Sequence, residues 1–480
     1  MSRLNLTPLF EPKGVVVAGA STHPGKFGFV ALHNVLAAGY EGPVFATNPE
    51  RPEILGIQCE ASIEDLPDGA ADLVMICTPG RIIPDVLRQS AAKGIRAGFI
   101  VSGGFRESGE EGAALEDEIV ALADELGMVV AGPNGQGLVS TPQKLWSQIV
   151  APYPPAGHIG IVSQSGNLVS TLMNLARQAN VGVSRAVSAG NQGHVEIADY
   201  LEYMAQDDET KVIVSYVEGV PDGRRFYEAL RATTERKPVI IVKGGVSEDG
   251  ARAAASHTGS LATNDRVFDG MLSQAGAIRA KGIDDAFTLA AGFASMPMAS
   301  GPRTVVLTTV GGWGVLTSDA IASSSLDLIP LPQDLHDAIG ELVPPRWSRN
   351  NPIDLAGGET RETIPKVLDL ITSHAEVDAV IYLGIGIQGN VARAYRESPY
   401  LDEGMERMAS FHERQEVAYA TAAVEASRAS GKPVVVASEL GIGDPDNPGI
   451  ATLRELGWPC FASPQAGVAA LDAMFRTAGR

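Results

Sequence analysis

Cysteine is nearly absent: Cys59, Cys77 and Cys460 are the only three in 480 residues. Their spacing matches neither a disulfide framework nor a metal site, so they read as structural thiols in a reducing compartment. No stretch approaches the ~20 continuous apolar residues of a membrane span. The first ten residues lack the basic and apolar regions of a signal peptide, and the expectation is a cytoplasmic protein with no membrane partner. Positive charge is also in deficit. Lys and Arg number 37 against 57 Asp and Glu, a net charge of −20, which argues against general nucleic-acid binding. An anionic ligand must then be held by local basic groups and helix N-termini. Aromatics are sparse at 6%, and neither a low-complexity tail nor a short tandem repeat is evident.

What is present is an ordinary globular balance, 45% hydrophobic and 20% charged, with 53 glycines. So many glycines suit the tight strand-to-helix turns of an α/β protein, and the length exceeds what one core usually serves. Three blocks of alternation follow. The first holds short apolar runs at 15–20, 44–47, 73–77, 97–101 and 128–131, separated by helical patterns at 29–38, 82–93 and 112–126. That is a βαβ array with a buried parallel sheet, a Rossmann-like domain. Ala151-Pro152-Tyr153-Pro154-Pro155 reads as a linker. The second block opens on the strand 158–163, turns into a helix at 168–178, and continues with strands at 212–217 and 239–242. After the loop 296–302, the third block starts with the strand 304–309, followed by a helix at 315–323 and strands at 379–383 and 434–437. The expected domains are residues 1–145, 156–296 and 302–480.

The strand-to-helix turns carry the chemistry. In Gly19-Ala20-Ser21-Thr22-His23-Pro24-Gly25-Lys26-Phe27-Gly28, glycines let backbone N–H groups and a helix N-terminus cradle phosphate; a merely glycine-rich turn is the alternative. The spacing is not GxGxxG, and after the second strand stands Ala46-Thr47-Asn48-Pro49 rather than the acidic residue an NAD ribose prefers. NAD is therefore disfavoured. Ser163-Gln164-Ser165-Gly166-Asn167 and Val310-Gly311-Gly312-Trp313-Gly314 each join a strand to a helix. Each is either a plain N-cap or, paired, a holder for inorganic phosphate or a phosphorylated side chain. Glu218 ends a strand and faces the usual α/β ligand crevice, as a solvated carboxylate or as an orienter of a histidine. His257, in Ser256-His257-Thr258-Gly259-Ser260-Leu261, is flanked by small hydroxyl and glycine residues, unlike a core histidine. It reads as a nucleophile able to accept and pass on a phosphoryl or acyl group.

Taken in order, Gly160-Ile161-Val162-Ser163-Gln164-Ser165-Gly166, Ser188-Ala189-Gly190-Asn191, Val217-Glu218-Gly219, Lys237-Pro238-Val239, Lys243-Gly244-Gly245 and the His257 segment resemble the ligase domain of the NDP-forming acyl-CoA synthetases, relatives of succinyl-CoA synthetase. The first block resembles that family's CoA-binding domain, closed by Gly132-Pro133-Asn134, and the third its second flavodoxin-like ligase domain. The resemblance implies that His257 is transiently phosphorylated and that Glu218 pairs with the phosphohistidine. Ser165, Gly166 and Asn167 would begin one phosphate-holding helix, and Gly311, Gly312 and Gly314 the other. Gly19, Ser21, Lys26, Phe27, Asn48, Pro49, Thr78, Pro79, Gly103 and Asn134 would contact coenzyme A. No metal ligand is expected in this chain.

Some residues depart from the family pattern. Gly135-Gln136 follows Asn134 where a small cysteine or serine is common, Trp313 stands where a small residue or proline is usual, and Gly193-His194 occupies a region often acidic. The first two touch the expected acyl site. Arg346 and Arg349 lie in the loop Pro344-Pro345-Arg346-Trp347-Ser348-Arg349 before Asn351-Pro352-Ile353-Asp354, either as a clamp for a second anionic group or as solvated surface. Nothing after Ala299 reads as an ATP-grasp module. The resemblance therefore implies an α subunit that needs an ATP-grasp β subunit, as αβ or α2β2, with ATP or ADP and Mg2+ bound mainly by that partner. The reaction expected joins a carboxylic acid to CoA reversibly. The rival readings are a non-catalytic CoA-binding regulatory protein and a CoA-dependent acyltransferase.

Overall fold

The computed structural model describes residues 4–150, 152–252, 264–357 and 362–479. Two compact units divide the chain: Met1–Arg177 with Gly182–Phe287, and Gln178–Val181 with Thr288–Arg480. Both are α/β, built on largely parallel sheets.

In the first unit, β1 (Val15–Ala18), β2 (Val44–Thr47), the short pair β3 (Glu53–Ile54) and β4 (Ile57–Gln58), β5 (Leu73–Ile76), β6 (Ala97–Ile100) and β7 (Val129–Ala131) come first. A five-stranded parallel sheet runs in the order β2-β1-β5-β6-β7. Its strands are continuous apolar runs because both faces are covered. Val15, Val17, Leu73, Met75 and Phe99 enter one core with Ala31, Leu32 and Val35 of the helix Phe27–Ala37. Val16, Ala18, Val74, Ile76 and Ile100 enter the other, against the helices Ile83–Ala92 and Glu110–Leu126. The last helix carries Glu110 and Glu111 in its first turn, where the helix dipole favours anions, and stops at Gly127, φ +61°.

The chain then makes a hairpin, β8 (Gly137–Ser140) with β9 (Leu145–Gln148), before β10 (Ala156–Ser163), β11 (Val183–Ser188), β12 (Val212–Val217), β13 (Val239–Lys243) and β14 (Ile278–Ala280). The second sheet runs β14-β13-β12-β10-β11-β8-β9. The hairpin hydrogen-bonds into the second sheet through the antiparallel pair β8–β11, although its first strand lies within the expected first domain, 1–145. Asn34 of the helix Phe27–Ala37 ties back to it by donating to the Gln148 carbonyl at 2.7 Å.

The second unit holds β15 (Arg303–Thr308), β16 (Asp327–Leu328), β17 (Ile353–Asp354), β18 (Ala379–Leu383), β19 (Val434–Ala437) and β20 (Cys460–Phe461) in one parallel sheet, ordered β16-β15-β18-β19-β20 with β17 beside β15. The helix after β15 spans Gly311–Ala322 rather than starting at 315. Val310 is extended, φ −125° and ψ 91°, and serves as the N-cap, so the glycines form the first helical turn. Among the described residues, no helix is long and apolar enough to cross a membrane.

Candidate functional site

All ten residues named for CoA lie just beyond the carboxyl ends of the first sheet's strands, where ligands of open parallel sheets bind. Gly19 follows β1 with φ +81°, and a Cβ on Gly28 would lie 2.1 Å from the Gly19 carbonyl oxygen. Glycine at 28 therefore lets the helix Phe27–Ala37 press its N-terminal turn onto the strand end. Ser21 Oγ accepts from the His23 amide at 3.1 Å, and His23 Nδ1 accepts from the Gly25 amide at 3.0 Å. Lys26 caps the helix with extended backbone, φ −97° and ψ 143°, and is exposed with Phe27. The first-turn N–H groups and one ammonium thus share a solvent-facing rim, a setting for an anion in an acidic protein.

The neighbouring loops close around this rim. Asn48 Nδ2 donates to the Ala20 carbonyl at 2.8 Å, which binds the β2 loop to the β1 loop, with Pro49 exposed beyond it. Thr78 lies against Gly19, its buried hydroxyl without a hydrogen-bond partner, and Pro79 begins the next turn. Asn134 follows the cis Gly132–Pro133 bond with φ +59°, and its amide donates to the Ser102 carbonyl at 2.9 Å. Its carboxamide would lie 3.1 Å from a Cβ on Gly103 and donates to Asn191 Oδ1 at 3.3 Å. Asn191 donates in turn to Glu107 at 2.6 Å and Glu116 at 2.9 Å. Burial works against the charged form of Glu107, but donation from Asn191 and from the Gly104 and Phe105 amides holds its carboxyl below the ordinary 4.5. Among the described residues no cluster has the make-up of a metal site.

In the second sheet, β10 and β12 pair as neighbours, Ser163 beside Tyr216. Their carboxyl ends carry Ser165-Gly166-Asn167 and Glu218 side by side. Gln164 joins them: its Oε1 accepts from the Glu218 amide and, at 3.2 Å, from the Gly219 amide, while its Nε2 donates to the Gly219 carbonyl at 2.9 Å. Glu218 is buried, and its Oε1 accepts from the Tyr216 hydroxyl at 3.1 Å. Burial, with the Glu218 charge, pushes the Tyr216 phenol well above the ordinary 10.0. Gly166 opens the helix Gly166–Ala179 under the Gln136 side chain, which donates to Asn167 Oδ1 at 3.1 Å and whose Oε1 is buried without a partner. His257 and its segment lie outside the described residues.

In the second unit, Gly311 and Gly312 are exposed at the start of their helix and Gly314 is buried. A Cβ on Gly311 would lie 2.6 Å from Asp354 Oδ2. Trp313 is half-buried. Arg346 and Arg349 are exposed, donating to the carbonyls of Gly357 at 3.0 Å and Pro345 at 3.3 Å. His194 is a core residue whose Nδ1 accepts from the Val130 amide at 3.2 Å.

The sequence reading assigns no role to Lys243, Gln164 or Tyr216. Their roles follow from which strands are neighbours, and an i, i+2 spacing of Tyr216 and Glu218 on one strand face was the one signal available.

Residues 13–141 match the family model of a CoA binding domain, 156–293 that of a succinyl-CoA ligase like flavodoxin domain, and 304–386 that of a ligase-CoA domain. The chain is 34% identical over 477 residues to the acetate–CoA ligase (ADP-forming) I subunit alpha of Pyrococcus furiosus, covering 98% of both chains. It is 32% identical over 379 residues to the 4-hydroxybutyrate–CoA ligase (ADP-forming) of Nitrosopumilus maritimus, covering 78% of this chain and about half, 54%, of that one. Among solved structures, the dinucleotide forming acetyl-coenzyme A synthetase 1 of Ca. Korarchaeum cryptofilum, in complex with phosphate and ADP, superposes with a TM-score of 0.85 at 30% identity over 99% of this chain and 97% of that one.

Proposed function

The chain belongs to the ADP-forming acyl-CoA synthetases, with their alpha subunits, and on that premise we propose that it binds CoA and a carboxylic acid and carries the phosphorylated histidine of the ligase reaction. Full-length similarity to an alpha subunit carries this reading. The three proposed domains, 1–145, 156–296 and 302–480, divide the work.

Gly19, Ser21, Lys26, Phe27, Asn48, Pro49, Thr78, Pro79, Gly103 and Asn134 would hold CoA, which supplies the thiol that takes up the acyl group. The residues fit it: glycine at 28 lets the helix N-terminus approach the strand end closely, that N-terminus and Lys26 would meet phosphate, and the buried Thr78 hydroxyl lacks a partner. For the acid, the phosphoryl group leaves phospho-His257 for a carboxylate oxygen, and the thiol then displaces inorganic phosphate from the acyl phosphate. Glu218 pairs with the phosphohistidine. The turn Ser165, Gly166 and Asn167 stabilises phosphoryl charge through helix N–H groups, and Gly311, Gly312 and Gly314 begin the second such helix. Phosphoryl transfer of this kind is positioning plus electrostatics, which an acidic chain supplies through helix ends rather than many lysines. The nucleotide and Mg2+ belong to an ATP-grasp partner subunit in an αβ or α2β2 assembly.

Co-expression with candidate ATP-grasp subunits, followed by a panel of acids with ATP and CoA, tests the reading. Acyl-CoA and ADP formed only by the pair are the expected result. CoA binding without turnover beside every nucleotide-binding partner would favour a regulatory protein instead.

A further inference from the structure

Lys243 is the last residue of β13 and is 7% exposed. Its ammonium donates to two carbonyl oxygens, that of Glu218 at 2.8 Å and that of Gly244. Nζ also sits 5.5 Å from the centroid of the Phe268 ring. A buried ammonium persists only where its donors are satisfied, and these acceptors are the first residues beyond two neighbouring strands, β12 and β13, which pair Val217 with Lys243. The lysine therefore staples one strand end to the next at the place where Glu218 leaves the sheet. Burial holds its pKa below the ordinary 10.5 against the opposing pull of Asp265 and Glu218.

A separate contact fixes the carboxylate of Glu218. The Tyr216 hydroxyl donates to Glu218 Oε1 at 3.1 Å. A Cβ on Gly244 would lie 2.4 Å from that hydroxyl and 3.2 Å from Glu218 Cγ, so the absence of a side chain at 244 is what leaves room for both groups.

We propose that Lys243 and Tyr216 are positioning residues for Glu218: the lysine fixes its backbone, the phenol fixes its carboxylate rotamer, and both act on phosphoryl transfer only through that carboxylate. This rests on the assignment of Glu218 as the partner of the phosphohistidine.

The test uses the full chain with its nucleotide-binding partner subunit and radiolabelled ATP. It measures the rate at which acid-labile phosphate enters the chain, with CoA affinity followed by calorimetry. Lys243→Met is expected to slow labelling about 10- to 100-fold and Tyr216→Phe about 3- to 10-fold, since displacements near 1 Å at a reacting group have effects of that order. CoA affinity, set on the other sheet, stays unchanged. In a Glu218→Gln background neither change should slow labelling further, because residues acting through one group are non-additive. Full multiplicative losses in that background, or a CoA affinity that falls in step with labelling, overturn the proposal. Labelling at the wild-type rate by both single variants while Glu218→Gln is slow overturns it too. Unimpaired Glu218→Gln would instead remove the assignment of Glu218 itself. If Lys243→Met does not fold, Tyr216→Phe decides the matter in the same cycle.

Discussion

Replacing Gly28 by alanine should dismantle the CoA rim from its hinge. The new Cβ would sit 2.1 Å from the Gly19 carbonyl oxygen and 2.9 Å from its carbon. Real Cβ contacts stay beyond 3.0 Å, so the helix Phe27–Ala37 or the Gly19 turn must retreat by about 0.9 Å. Neither yields freely. The Gly19 and Ala20 amides donate to the Thr47 carbonyl at 3.2 and 3.0 Å, and the helix is anchored through Ala31, Leu32, Val35 and the Asn34–Gln148 bond. Forcing an extra methyl into such a contact costs about 1–3 kcal/mol, which lowers the melting midpoint by a few degrees in a unit of this size. CoA affinity should fall as well, by about tenfold or beyond, because the displaced first turn is the one proposed to meet phosphate. Calorimetric titration with CoA, beside thermal unfolding, reads both effects. Gly270→Ala is the control: nothing lies within 4 Å of its Cβ in the helix Asp265–Ala275, so it should be neutral or slightly stabilising. If Gly28→Ala binds CoA with unchanged affinity, the close approach of helix to strand end does not shape the site.

His257→Ala should abolish both the acid-labile phosphoprotein and net turnover in the assembled enzyme; labelled chain persisting in that variant, after gel separation of the subunits, would sink the assignment. Burial pushes the Cys77 and Cys460 thiols up to about 12 from the ordinary 9.0. The unfolded chain releases these protons first, so their stabilising effect is complete below about pH 9 and falls toward pH 12 by about 1.4 kcal/mol per pH unit for each thiol; urea melts of Cys77→Ala and Cys460→Ala should show a flatter alkaline decline. In the second unit, the Arg303 guanidinium holds Asp378 below the ordinary 3.8, with donation at 2.8 Å from both Nε and Nη2. That contribution is present above pH 3.8 and lost as pH falls below it, so Asp378→Asn should lower the melting midpoint at pH 7, and its gap from wild type should narrow as pH falls below 3.8.

Much of the architecture could be read directly because burial on both faces leaves a plain mark. Residues 15–18, 73–76 and 97–100 are uninterrupted apolar runs, and each is a strand. The strands at 212–217, 379–383 and 434–437 coincide with the expected ones. The helix start at Gly311 was hidden by propensity, since three glycines in four residues read as a turn, while the preceding strand and the cap conformation of Val310 settle the matter locally. The sheet that the hairpin Gly137–Gln148 joins is not legible locally, because a strand's sheet is chosen by a partner distant in sequence, here β11. The loops around Gly19, Asn48, Thr78 and Asn134, proposed for CoA, stand out in the sequence because each follows a strand. The supports beneath Glu218 do not, since a lysine on one strand and a carbonyl on the next meet only through sheet order.

The apolar cluster that begins at Leu6, Leu9 and Phe10 passes without a break through both sheets of the first unit, to Tyr200 and Leu201 and on to Phe268. Phe10 stacks on Tyr203 with centroids 5.0 Å apart, and Glu11 reaches the buried Arg185 at 2.8 Å. The amino-terminal segment thereby works as a wedge driven between two sequence modules that family profiles count separately. Such modules are not interchangeable parts: a graft that swapped residues 13–141 for the matching piece of a relative would have to import the wedge and its seat together, or leave an oily seam where the two halves meet.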